Sequence, residues 1–302
     1  MLSLLTPAAL LFLGSCSNDP APTAHAADGE FETLWYDGQA EVAGYVWKGS
    51  RYGELRTGEA VAIFVTETLG ADSHVKLDDP SKGGVTAMKL NLVREFQTGL
   101  YDYDTMTSAF AEVGAFRPLK VTFSCQEWCG QAYESLDVGK KLALEIASYF
   151  EGESTESTLA WKDGAVLGDH LFLWLRGLRG HVLAPGASRE LPYLADGFER
   201  RLRHAKAEWQ TLTITRAAAT TSESVPAGTF PAVVYTLAST DGRTGRVAFE
   251  EAYPHRLLAW SWSRGQELLD SGALTGTKRL KYWELHAEGQ ESLRRELGLA
   301  AR

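Results

Sequence analysis

The chain has 302 residues, enough for one large β domain or two smaller ones, with 44% hydrophobic and 23% charged residues. Those proportions exclude wholesale disorder, a collagen repeat and a polytopic membrane protein. The formal net charge of -9 repels polyanions, and the densest basic run, Arg200-Arg201-Leu202-Arg203-His204, is short, so nucleic acid is not an expected partner.

The N-terminus carries the strongest signal. Met1 to Ser15 hold no charge. The apolar run Ala8–Leu13 is far shorter than the ~20 residues a bilayer span needs, and fits the core of a signal peptide. It ends in Leu13-Gly14-Ser15-Cys16, the pattern of a bacterial lipobox: an apolar residue, two small ones, then the cysteine that takes the lipid. Residues 1–15 are therefore expected to be a lipoprotein signal peptide, and Cys16 the lipidated residue. Ser17 matches lipoproteins sent to the outer membrane. The pattern departs in one respect: no Lys or Arg precedes the apolar run, and a start codon further upstream would supply one. The reading implies a lipid-anchored protein of the bacterial outer membrane, facing the periplasm or the cell surface.

Residues 16–30 should be a flexible tether. From Ser17 to Glu30 the chain has two prolines, four alanines and no large apolar residue, so it cannot bury enough surface to fold.

The body reads as mainly β. Windows that alternate, or are rich in β-branched and aromatic residues, fall at Glu41–Lys48, Ala60–Glu67, Val85–Phe96, Leu119–Ser124, Leu212–Arg216, Ala232–Ser239, Gly245–Glu250, Leu257–Ser263 and Thr277–Leu285. Leu142–Phe150 reads equally as strand or helix. The gaps hold turn chemistry (Gly83-Gly84, Asp241-Gly242, Arg264-Gly265), which suggests antiparallel hairpins. The expected organisation is an N-terminal β region (31–160), a helix-and-loop connection (161–206), a C-terminal β meander (207–286) and a C-terminal helix (287–302). The hairpins should form a large curved sheet, half-barrel or sandwich. Asp169 is positioned to cap a mid-chain helix reaching about Leu178, Pro185 and Pro192 bracket a loop, and Tyr101–Asp104 reads as a loop with aromatic anchors.

Two of the three cysteines, Cys125 and Cys129, remain after lipidation. They either form a disulfide closing a tiny loop or stay as two free thiols. Neither has the partners of a zinc site, and no metal or cofactor is expected. Nine Trp, eleven Tyr and twelve Phe either fill the core of a large sheet or line a concave site for an apolar or sugar ligand.

The phrases Trp35–Glu41, Arg51–Arg56, Ile63–Glu67, Lys89–Asn91, Thr98–Tyr103, Gln126–Gln131 and Ser148–Phe150 resemble those of an uncharacterised family of bacterial secreted lipoproteins. The resemblance covers about residues 35–150 well and the rest loosely, through Arg279-Leu280 and Tyr282-Trp283. Members sometimes carry the label septum formation inhibitor Maf. True Maf proteins are cytoplasmic nucleotide pyrophosphatases with an N-terminal Ser-x-Ser-Pro-Arg-Arg loop, which this chain lacks. The resemblance implies secretion and lipid anchoring but no assigned chemistry. Family members usually have an apolar residue where Cys125 stands, leaving Cys129 as the matching cysteine.

No complete catalytic motif occurs: Gly-x-Ser-x-Gly, His-Glu-x-x-His and a phosphate-binding Gly loop are all missing. The motif residues Arg51, Tyr52, Glu54, Tyr101, Tyr103, Gln126, Glu127, Trp128, Arg279, Tyr282 and Trp283 are candidates for a binding or structural network. Two functions follow from different classes. One is a non-catalytic envelope scaffold that binds an apolar ligand, a glycan or an envelope protein. The other is a periplasmic glycan hydrolase with Glu127 as general acid and a second carboxylate from Asp102, Asp104, Glu54 or Glu67. In the scaffold reading Glu127 pairs with Arg51 or Arg279.

Overall fold

The computed structural model describes residues 28–300, so the signal-peptide and Cys16 expectations lie outside the described residues. The body is one continuous 16-stranded sheet, and the expectation of a mainly β chain of antiparallel hairpins holds. The chain enters at the middle. After helix α1 (Asp28–Trp35), β1 (Ala40–Arg51) starts a meander toward one edge. It continues through β2 (Glu54–Leu69), β3 (Val85–Thr98), β4 (Tyr101–Glu112), β5 (Pro118–Glu127), β6 (Gly130–Val138), β7 (Lys141–Ser148) and β8 (Thr155–Ala160). The chain then crosses to the far edge through a 3₁₀ turn (Gly168–His170) and helix α2 (Leu171–Leu175), with β9 (Val166–Leu167) running parallel to β10 (Ser188–Leu194). Helix α3 (Gly197–Arg203) follows. Strands β11 (Trp209–Arg216), β12 (Thr221–Val225), β13 (Gly228–Ser239), β14 (Arg243–Glu250), β15 (Leu257–Arg264) and β16 (Glu267–Leu280) return to the middle. There β16 pairs with β1, from Ala40 opposite Leu280 to Lys48 opposite Ser271.

Period-two alternation explains most strands. In β3, Met88, Leu90, Leu92 and Phe96 are buried while Lys89, Asn91 and Glu95 are not. The ambiguous segment 142–150 is largely strand β7. Tyr101–Asp104 opens β4 and is not a loop, because Tyr103 points inward and Asp102 and Asp104 outward. Pro192 lies inside β10, opposite Thr211 of β11. β9 reaches only Tyr193 and Leu194, so at Pro192 the outer side of β10 is unpaired. The window 277–285 is displaced: β16 ends at Leu280, and Tyr282–Glu284 is a 3₁₀ turn.

The helices differ more. Asp28-Gly29-Glu30, assigned above to the tether, form the first turn of α1. The mid-chain helix is only five residues, and Asp169 does not cap it. Its carboxylate accepts the backbone N–H of Gly197 at 3.0 and 3.1 Å. The C-terminal helix is a 3₁₀ helix, Gln290–Leu297, held on the outer face by more than solvent. Leu297 and the following Leu299 are buried with Ala40, Val42 and Val65, and Arg294 pairs with Glu59 at 2.9 Å.

The inner face answers the question of the aromatics. Trp47, Phe96 and Tyr103 stack in sequence, with ring centroids 4.5 and 4.9 Å apart. Phe198 of α3 meets Trp47 and Phe96 edge-on. Trp35, Trp47 and Trp260 are fully buried. Most of the aromatic surface is thus core, and the chain's own α2 and α3 cover it.

Candidate functional site

Helix α3 sits across the inner face and is fixed at both ends by charge. Asp196 caps it, accepting the Glu199 N–H at 2.9 Å. Asp196 also meets Arg243 at 3.6 Å, and Glu199 meets Arg264 at 3.2 Å, both arginines coming from the second half of the sheet. At the other end Arg201 pairs with Glu127 at 3.0 Å and Arg200 with Glu134, both acids from the first half. Acids at the N-terminus and bases at the C-terminus also suit the helix dipole. Gly197 permits the close seat, because a Cβ there would stand 2.7 Å from Phe123.

Asp169 and His170 sit under this helix. Burial raises the Asp169 carboxyl to about 7 and lowers the His170 imidazole to about 4. The fold therefore favours protonated Asp169, a contribution present below its ordinary 3.8 and lost as pH rises through about 7. It also favours neutral His170, a contribution present above 6.5 and lost as pH falls through about 4. The two slopes oppose each other between pH 4 and 6.5. Asp169→Asn removes one of them. Urea midpoints measured at pH 6.5 and pH 4 should fall more on acidification in this variant than in the wild type, and equal falls would contradict the assignment.

Beside α3 lies a cleft of about 720 Å³. Phe123, Ala132, Leu144, Ile146, Phe150 and Leu159 give it an apolar floor from β5 to β8 and the turn between β7 and β8. Arg200, Arg201, His204 and Lys206 form the opposing wall. Three of these side chains are paired inside the protein: Arg200 with Glu134, Arg201 with Glu127 and His204 with Glu153. The Arg201 guanidinium also lies over the Phe150 ring, 4.1 Å from its centroid.

The candidate residues of the first half converge at one rim next to this cleft. Alternate turns of the meander, β1–β2, β3–β4, β5–β6 and β7–β8, all lie on that rim. Tyr52 and Gly53 form a two-residue turn with φ of 55° and 75°, a pairing that twists with the strands. Glycine adopts this readily. Tyr52 does so under strain and is tied down by its hydroxyl, 2.9 Å from Tyr103 Oη and 3.0 Å from Tyr101 Oη. Arg51 donates to Tyr103 Oη through Nη2 at 2.9 Å and to the Leu202 carbonyl at 3.1 Å. Burial pushes the Tyr103 phenol well above the usual range, and its bond with Tyr52 adds to the shift. The Trp128 ring lies 6.4 Å from that of Tyr101.

The remaining candidates go elsewhere. Gln126 is exposed between buried Cys125 and Glu127 and faces outward. Glu54 is exposed and pairs with Arg56 at 2.6 Å. Arg279, near the end of β16, lies at the opposite rim, bonded to the Leu34 carbonyl and to Asp37. Tyr282 and Trp283 follow it there. Neither expected partner binds Glu127: Arg51 is engaged by tyrosines, Arg279 is at the far end, and Arg201 takes the place of both. Cys125 and Cys129 are free thiols. Cys125 points into the core, where burial raises its thiol to about 11, whereas Cys129 is exposed in the β5–β6 turn.

The second acid of a hydrolase does not assemble from the four candidates. Asp102 and Asp104 project from the face opposite Tyr103, which is Glu127's partner in register. Glu67 is near the other end of β2, paired with Lys89 at 3.2 Å. No group of three or more metal-ligating side chains occurs among the described residues. Sequence reasoning missed Arg200, Arg201, Glu134 and the cleft. The only hint was the basic run 200–204 itself.

The fold and site thus define a class: an open β sheet wrapped around its own helix, with an apolar cleft at one edge. No family model matches the chain, and no curated protein matches it. A solved structure described as an exported protein with a YmcC-like fold, from Bacteroides fragilis, is 10% identical. The match covers 79% of this chain and 95% of that one, with a TM-score of 0.25, too low to carry an argument.

Proposed function

We propose that the protein is an exported cell-envelope protein, lipid-anchored through Cys16, that acts as a non-catalytic β scaffold and holds an apolar ligand in the cleft beside α3. The cleft carries this reading. Its volume of about 720 Å³ is within the ~300–1,000 Å³ usual for ligand pockets. Its floor is apolar and its charges are largely matched internally, so a ligand need bring no charge of its own. The Leu13-Gly14-Ser15-Cys16 pattern supports the location.

The neutral fluorophore N-phenyl-1-naphthylamine provides the test. It should bind saturably to the wild type. Ile146→Trp fills the cleft from β7 and should weaken binding at least tenfold while leaving the circular dichroism spectrum unchanged. A wild type with no saturable binding, or a variant that binds equally well, would overturn the reading.

A further inference from the structure

We propose that the rim of hairpin turns beside the cleft docks on the surface of a zwitterionic phospholipid bilayer. Four turns that neighbour one another along the sheet each present one large apolar side chain. Tyr52 is 57% exposed, Leu100 78%, Trp128 68% and Tyr149 70%. Turns at every second strand gap stand about 10 Å apart, so the four form a row of about 30 Å. The row is continuous where rings meet: Trp128 with Tyr101, and Tyr149 lying over the backbone of Gly130, where a Cβ would come within 2.5 Å of the ring.

The chemistry of the row selects lipid. Trp and Tyr with an aliphatic residue at protruding tips are the side chains that partition to the headgroup–acyl boundary. A glycan platform would offer several open hydroxyls, but those of Tyr52, Tyr101 and Tyr103 bond to one another, which leaves that of Tyr149. Leu100, the most exposed of the four, has nothing to offer a sugar. The arginines nearest the rim are engaged: Arg51 by tyrosines, Arg201 by Glu127, Arg203 by Glu199 and Glu267, which leaves Lys48 and Lys206 as its open cations. With a net charge of -9 as well, the matching surface is zwitterionic, not anionic.

The length of the preceding chain fits. α1 lies at the end of β1 opposite the rim, and the 12 residues of β1 span about 40 Å. Residues 17–27 can reach at most about 36–40 Å when fully extended. At that full extension an anchor at Cys16 and the rim can meet one bilayer. This last step rests on the anchoring reading above, whereas the affinity of the rim for lipid does not.

The test uses the full chain carrying Cys16→Ser, so that no lipid is attached, with vesicles of brominated phosphatidylcholine. Bromine should quench a part of the tryptophan fluorescence that disappears in Trp128→Phe and persists in Trp283→Phe, whose indole is at the far end. Leu100→Ser/Tyr149→Ser should require at least tenfold more lipid for the same quenching. All these positions are exposed, so the fold should survive. Quenching that is absent, or unchanged in Trp128→Phe, would overturn the proposal, as would a rim covered by a glycan or a second copy of the chain.

Discussion

Asp270→Ala should lower the free energy of unfolding by about 3–5 kcal/mol, the cost of stripping one partner from a buried ion pair. Asp270 accepts four hydrogen bonds on the inner face. Arg94 gives two, at 3.1 and 3.0 Å, and the indoles of Trp47 and Trp260 give one each, at 2.5 and 2.8 Å. Alanine leaves the buried Arg94 guanidinium without its counter-ion and both indole N–H groups without an acceptor. Arg94 also lies over Phe198, 4.5 Å from its ring centroid, so the loss reaches the seat of α3. Urea denaturation followed by tryptophan fluorescence would measure it. A loss below about 1 kcal/mol would show that the knot contributes no more than a surface pair.

How much of this was legible depends on the range of the interaction. Alternation is a local signal, and it located most of the inner meander. It failed for Tyr101–Asp104, where two aspartates looked like a loop although they only mark the outward face of β4. It failed again at Pro192, where a proline sits in β10 at a stretch whose outer side β9 does not reach. α3 was hidden for another reason. It has seven residues, and its stability comes from arginines and acids paired with partners 47 to 74 residues away. No local pattern records those pairs, so Arg201 as the partner of Glu127 was out of reach.

The rim could have been found. In an up-and-down meander every second turn falls on the same edge, and Tyr52-Gly53, Gly99-Leu100, Trp128-Cys129-Gly130 and Tyr149–Gly152 each join a large apolar residue to a glycine within three positions. The same argument separates Arg279, Tyr282 and Trp283 from that group. β16 begins at the rim, runs antiparallel to β1, and so carries them to the opposite edge.

Glu127 decides between the scaffold and the hydrolase. Its side chain is buried and faces Arg201, which is equally enclosed. Glu127→Gln keeps the volume and removes the charge. Arg201 then retains the Phe150 ring and the more distant Glu153 carboxylate but loses its contacting counter-ion, and stability should fall by about 3–5 kcal/mol. The cleft shares Arg201 and Phe150, so binding of the apolar fluorophore should weaken as well. A companion variant distinguishes loss of the pair from damage to the site. Replacing both members, as Glu127→Gln/Arg201→Met, leaves no unpaired charge in the interior and should recover much of the lost stability, giving a non-additive cycle. A general acid would behave otherwise. A carboxyl held neutral for proton donation gains little from its arginine, so Glu127→Gln would melt at or above the wild type while losing ~10²-fold or more in turnover on a glycan. That pair of results would replace the scaffold with an enzyme. The 3.0 Å contact with Arg201, and the outward direction of Asp102 and Asp104, favour the loss of stability and the recovery in the double variant.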